Sequence, residues 1–260
     1  MLTAVDSTVS SPHFGRLQLA DQKAVAEFQY RLTLEGSRGD VVDDHWRPDA
    51  VATRSRLLLR GLPPLEIPCA VDNYVDVFVA FPESASKTYV QLTNELPRIV
   101  SIANKLQEHF LCDQPTLFNP RKGDICAALY KRDSRYYRAA VLGRQSASEI
   151  EVFFVDYGNK ATVDARSLKS LPAELLEVPP QAIAVRVAGV EDGQQKLGGA
   201  QLIDLLESKE VSLRPSAVSL GALVASMLLS VEGQEYDVGD LLAGRVAPTP
   251  SLLKPAVAQR

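Results

Sequence analysis

With 46% hydrophobic and 23% charged residues, the 260-residue chain has the balance of a globular protein, long enough for one large domain or two small ones. No apolar run reaches the roughly 18 residues that a bilayer-spanning helix needs, and the formal net charge of −4 sets the field of the whole chain against phosphate and towards a basic partner. Three cysteines (Cys69, Cys112, Cys126) and three histidines (His13, His45, His109) give neither a disulfide framework nor metal-ligand spacing. The reading expects no metal, no cofactor, reduced thiols and a cytosolic or nuclear compartment, since the first residues lack the pattern of a signal peptide.

Residues 1–66 read as an N-terminal extension of uncertain structure. "LQLADQKAVAEFQYRLTLEG" fits a helix followed by a strand, and the polar stretch after it holds the single tryptophan, Trp46. "LPPLEIP" then marks a boundary. Over residues 67–120, "YVDVFVAF" alternates as a strand, "PESASK" turns and "TYVQL" returns. Thr93 and Asn94 are N-cap residue types. The helix they introduce would place Leu96, Ile99, Val100, Ala103, Leu106 and Phe110 on one face, with Pro97 tolerated in its first turn. "CDQPTLFNPRKGD" reads as a linker.

Residues 121–170 carry four short strands, "ICAALY", "YYRAAVLGRQ", "EIEVFFVDY" and "KATVDA", at the spacing of a small antiparallel barrel. Residues 171–246 return to a mixed pattern: a short helical turn in "LKSLPAELLEVPP", strands at "AIAVRVAGV", "VSLRP" and "ALVASMLLSVEG", and helices at "AQLIDLLESK" and "DVGDLLAGR". Residues 247–260 read as a tail. The order predicts a mainly β fold with α elements, in which the barrel interrupts a second α+β unit.

The block "YYRA…FFVDYGN" resembles a Tudor domain, and the flanks, from "VDVFVAF" to "DVGDLLAG", resemble the extended Tudor module. The resemblance covers about two-thirds of the chain. It implies an SH3-like antiparallel barrel inserted in a staphylococcal-nuclease-like, OB-type domain that binds methylated arginine on partner proteins. The aromatic positions of that family's cage correspond to Tyr130 at the end of the first barrel strand, Tyr137 just before Arg138-Ala139, Phe154 two residues before Asp156, and Tyr157. The polar residue that meets the guanidinium corresponds to Asn159.

Chemistry favours the same set. A methylated guanidinium is flat and permanently charged but has lost N–H donors, so aromatic faces suit it better than carboxylates alone. Each good cation–π contact contributes roughly 0.5–2 kcal/mol, and an asparagine carbonyl can accept the remaining N–H. Phe154 and Tyr157 differ in parity, so the strand must bend or end near Asp156 for both to face one pocket. Arg138 and Asp156 are expected to pair in support of that turn, and Gly158 to supply a backbone conformation other residues resist. Tyr136 and Phe153, one place out of phase, are assigned to the core, while core or rim packing is the default for Tyr130 taken alone.

The resemblance further implies dimethylarginine, symmetric in form, in Arg/Gly- or Arg/Ala-rich tails such as those of Piwi-clade Argonautes. It also implies a scaffold role in piRNA silencing in germ-granule cytoplasm. Three other readings stand beside it. Nuclease chemistry needs arginines and metal-binding carboxylates, yet "VDVFVAFPESASKTYVQL" holds no arginine, only Asp76, Glu83 and, just upstream, Asp72. The basic turns "NPRKGD" and "YKRDSR" could serve single-stranded RNA or merely solvate the surface. The cage could also stand unused while another surface binds a partner.

Overall fold

The computed structural model describes residues 55–57, 62–63, 65–67, 74–110, 119–190, 195–219, 221–249 and 252–253. The readings of residues 1–54, Cys69, residues 111–118 of the linker and the end of the tail lie outside them. A short ribbon of β1 (Ser55–Leu57) and β2 (Leu65–Ile67) precedes two sheets.

The larger sheet has the order β10-β3-β4-β9-β11-β12. Its strands are β3 (Val75–Ser84), β4 (Lys87–Leu92), β9 (Ile183–Val187), β10 (Glu210–Ser219), β11 (Ala222–Val231) and β12 (Gln234–Asp237). β10 also pairs with β11, so five of these strands close on themselves and β12 is appended to β11. Only the β9–β11 pair is parallel. Inward residues from each strand, Val77, Val79, Val90, Val185, Leu213 and Met227 among them, form one core with Leu202, Leu205 and Leu206 of helix α3 (Gly199–Leu206). Helix α4 (Val238–Leu242) closes the same core, its Asp237 side chain accepting the Asp240 N–H as an N-cap.

Between the adjacent strands β4 and β9 the chain departs through helix α1 (Leu96–His109) into the smaller sheet and returns through α2 (Ala173–Leu176). That sheet has the order β5 (Ile125–Tyr130), β6 (Arg135–Arg144), β7 (Glu149–Phe154), β8 (Lys160–Asp164). A bridge between Ala127 and Lys169 brings the chain after β8 back to β5, giving the barrel its fifth, minimal strand. Among the described residues no helix is long and apolar enough to cross a membrane.

Several local expectations are corrected. Strand β3 continues through "PESA" as far as Ser84, because Pro82 sits at a register shift where no ladder hydrogen bond is demanded of it. Thr93 and Asn94 do not cap α1. The chain enters it through a 3-10 turn over Thr93–Glu95, and Glu95 stands at the N-cap and pairs with Arg98 at 2.9 Å. The buried face of α1 is Ile99, Ile102, Ala103 and Leu106, at i, i+3, i+4 and i+7, which leaves Val100 on the outside, 40% exposed. Strand β10 extends well beyond "VSLRP", and β12 was not foreseen as a separate strand.

Candidate functional site

Strand register brings three aromatic residues to one face of the barrel. Tyr137 pairs with Ala128, Ala139 with Phe154, and Tyr130 stands two residues beyond Ala128. Cross-strand partners and residues two apart share a face, so Tyr130, Tyr137 and Phe154 point the same way. Ala128 and Ala139, both fully buried, leave room for the rings between them.

The fourth ring arrives through a change of direction. β7 stops at Phe154, whose carbonyl accepts the Tyr157 N–H at 3.1 Å and the Gly158 N–H at 2.8 Å, while its own N–H donates to Asn159 O at 2.9 Å. The tight turn swings Tyr157 back over the sheet face that it would otherwise have left. Gly158 makes the turn possible with φ of +89°, a region that side chains with a Cβ rarely adopt.

The rings meet edge to face. Centroid separations are 5.1 Å for Tyr137–Tyr157, 5.4 Å for Tyr130–Phe154, 6.0 Å for Tyr137–Phe154 and 6.4 Å for Tyr130–Tyr137, with interplanar angles of 77–85°. Perpendicular neighbours are the walls of a box rather than a stack. Phe154 is 1% and Tyr137 5% exposed, whereas Tyr130 and Tyr157 are partly open, so the first two form the deep walls and the others the mouth. The Tyr137 hydroxyl donates to Asp133 Oδ2 at 2.6 Å, which fixes its ring plane. Burial pushes the phenols of Tyr130, Tyr137 and Tyr157 above their ordinary value. Asp133 adds to the effect at Tyr137 through that hydrogen bond, and Asp156 adds to it at Tyr157.

Asn159 lies beside Gly158 with no exposed surface, and neither its Oδ1 nor its Nδ2 has a hydrogen-bond partner. A buried amide left so is rare and costs on the order of 1–3 kcal/mol. It is a site prepared for a polar group from outside the chain.

Behind the turn, Arg138 is wholly buried and Asp156 nearly so. Arg138 Nε donates to Asp156 Oδ2 at 2.9 Å and Nη2 to Oδ1 at 2.5 Å. The remaining N–H groups reach the carbonyls of Leu175, Val178 and Pro179, so the pair ties the turn to the segment leading into β9. Of the residues set aside as core, Phe153 is buried against Tyr89 of β4 at 5.5 Å, and Tyr136 is half-buried against Phe110 at 4.6 Å. Sequence reasoning missed Asp133, and also two glutamines, Gln91 and Gln107, that contact the backbone of this region. Gln91 had one signal, a polar residue in the otherwise apolar run "TYVQL".

Fold and pocket together define a class: a small barrel with a box of aromatic rings, inserted between two neighbouring strands of a closed OB-like sheet. Residues 69–189 match the family model for the Tudor domain. The chain is 27% identical over 195 residues to Tudor domain-containing protein 1 of Oryzias latipes, a match covering 73% of this chain but only 17% of that protein. The crystal structure of the human TDRD1 extended Tudor domain, in complex with a symmetrically dimethylated peptide, superposes with a TM-score of 0.62 at 23% identity. The superposition covers 73% of this chain and 96% of that one. Extended Tudor domain TD3 of mouse TDRD1, in complex with a MILI peptide containing dimethylarginine 45, gives 0.62 at 19% identity over 69% and 94% of the two chains. The chain thus carries a Tudor domain in its extended form.

Proposed function

We propose that the pocket reads dimethylated arginine, in its symmetric form, within an Arg/Gly- or Arg/Ala-rich segment of a partner protein. The observation that carries this reading is the Asn159 amide, buried and unpartnered beside a box of four aromatic rings. A dimethylguanidinium offers what each part lacks. Its methyl groups and charge suit the faces of Tyr130, Tyr137, Phe154 and Tyr157, and its remaining N–H satisfies Asn159 Oδ1. The raised phenol values support the reading, because neutral hydroxyls keep the rings protonated at physiological pH and leave recognition to their faces.

The dimethylarginine peptides bound by the human and mouse TDRD1 domains support the same ligand class here. The wider role follows from the resemblance: a scaffold with no enzymatic activity, acting in small-RNA silencing in germ-granule cytoplasm, with Piwi-clade Argonaute tails as partners. The test is a calorimetric titration with one Arg-Gly peptide in unmodified, asymmetric and symmetric dimethyl forms. Binding to the symmetric form, lost in Tyr157→Ala and in Asn159→Ala, is the expected result. Equal or absent binding to all three forms overturns the proposal, and salt-sensitive binding of single-stranded RNA in its place would install the alternative role.

A further inference from the structure

Two glutamines from outside the barrel hold the backbone next to the rings. Gln107, on α1, accepts the Tyr136 N–H on Oε1 at 3.0 Å and donates from Nε2 to the Tyr136 carbonyl at 2.8 Å. The contact falls on β6 before Ala139, where its pairing with β7 begins. The side-chain amide therefore does for Tyr136 what a neighbouring strand would, and the next residue is Tyr137. Gln107 is itself anchored, since Nε2 also reaches the Ala103 carbonyl one helical turn back at 2.9 Å.

Gln91 acts on the other side. It lies in β4 of the larger sheet, 3% exposed, and donates from Nε2 to the Asp156 carbonyl at 2.6 Å. Asp156 immediately precedes Tyr157, and its Oδ1 accepts the Gln181 N–H at 3.2 Å. The turn that carries Tyr157 and Asn159 is thus fastened to strands and loops of the larger sheet, while the strand that carries Tyr137 is fastened to the helix leading out of it.

We propose that Gln91 and Gln107 are positioning residues for the pocket, so that the affinity of the aromatic box is set by amide clamps contributed from outside the barrel. This rests on the methylarginine reading for its ligand, but the clamp itself is a statement about the turn. Ring walls tolerate displacements of only about half an ångström before they cease to fit a bound group. A buried carbonyl that loses its donor is relieved when the turn shifts, and the ligand must then draw the turn back at the expense of its own binding.

The test uses the full chain with Gln91→Met and Gln107→Met, which keep side-chain length and remove the amide. Two quantities are read: amide hydrogen exchange at Tyr157, Gly158 and Tyr136, and Kd for the symmetric dimethylarginine peptide. The expected result is exchange faster by about tenfold at Tyr157 and Gly158 in Gln91→Met and at Tyr136 in Gln107→Met, with Kd weaker by about tenfold in each. Leu229→Ala, in the separate core of the larger sheet, is the control: it lowers global stability while local exchange in the turn and Kd stay with the parent. Parent-like exchange and Kd in both glutamine variants overturn the inference, as does the same local pattern in Leu229→Ala. If local exchange responds while the parent itself binds no peptide, the clamp stands and the assignment of the ligand falls.

Discussion

Replacing Asp156 with alanine strands a guanidinium that has no exposed surface. Arg138 has five N–H donors, and each has a partner: Nε and one Nη2 hydrogen on Asp156, the other Nη2 hydrogen on Pro179 O at 2.7 Å, and Nη1 on Leu175 O at 2.8 Å and Val178 O at 2.6 Å. Removing one member of such a pair leaves a buried charge uncompensated, a loss of about 3–5 kcal/mol. That is a large share of the roughly 5–15 kcal/mol typical of a folded domain. Arg138→Met should be comparably damaging for a different reason, because it unpairs three carbonyls as well as Asp156. The double variant Arg138→Met/Asp156→Ala removes both charges but leaves those carbonyls and the Gln181 N–H wanting, so it should fall well short of the sum of the singles without returning to the parent. Urea denaturation followed by circular dichroism measures all four corners of the cycle, and Asp156→Asn, which keeps one acceptor, substitutes where the alanine variant does not fold. A loss below about 1 kcal/mol for Asp156→Ala, or strict additivity in the double variant, would refute the account of Arg138 as a fully satisfied hub.

Gly158→Ala should destabilise by at least about 3 kcal/mol in the same assay. Its positive φ alone costs on the order of 1–3 kcal/mol, and the new Cβ would fall 2.1 Å from Cγ of Tyr89, whose ring is backed by Phe153; a stability within about 1 kcal/mol of the parent would contradict both terms. A spectrophotometric titration should find Tyr130, Tyr137 and Tyr157 protonated beyond the range in which ordinary tyrosines ionise. Because their folded values lie above the unfolded value of about 10, their contribution to stability is whole below that pH and is lost as the pH climbs through the raised values. Ionisation of all eight tyrosines of the native chain together near pH 10 would contradict the burial of the three rings.

The barrel strands were legible because each is short, alternating and bounded by turn residues, and register then follows from parity: once Tyr137 and Phe154 are taken to share a face, Ala128 and Ala139 must lie between them. The bend at Asp156 was also deducible, since Phe154 and Tyr157 cannot otherwise meet. What composition and spacing did not carry was anything dependent on partners distant in sequence. Val100 fits an apolar helical stripe as well as Ile102 does, and only the barrel against which α1 docks decides which of them is covered. Thr93 and Asn94 have the chemistry of caps, but the 3-10 entry moves the helix start past them to Glu95. Gln107 looks like an ordinary solvated helix residue until Tyr136 is seen to lie against it. The larger sheet was read in pieces, because its strand order joins β3 to β10 and β4 to β9 across long stretches of chain.

That strand order also bears on how the molecule assembles. Val90 of β4 pairs with Ile183 of β9, although the whole smaller barrel, two helices and their connections lie between them. Bringing such distant residues together from an open chain carries a loop-closure entropy that grows with the logarithm of loop length, and contacts of this kind slow folding. The intervening hairpins β5–β6, β6–β7 and β7–β8 are local, so they can form before the larger sheet closes. Once formed, they replace a long flexible loop with a compact body through which the chain leaves β4 and returns to β9. The inserted barrel thereby becomes a kinetic template for the sheet that encloses it, and substitutions that weaken its hairpins are expected to slow refolding of the outer strands as well as their own.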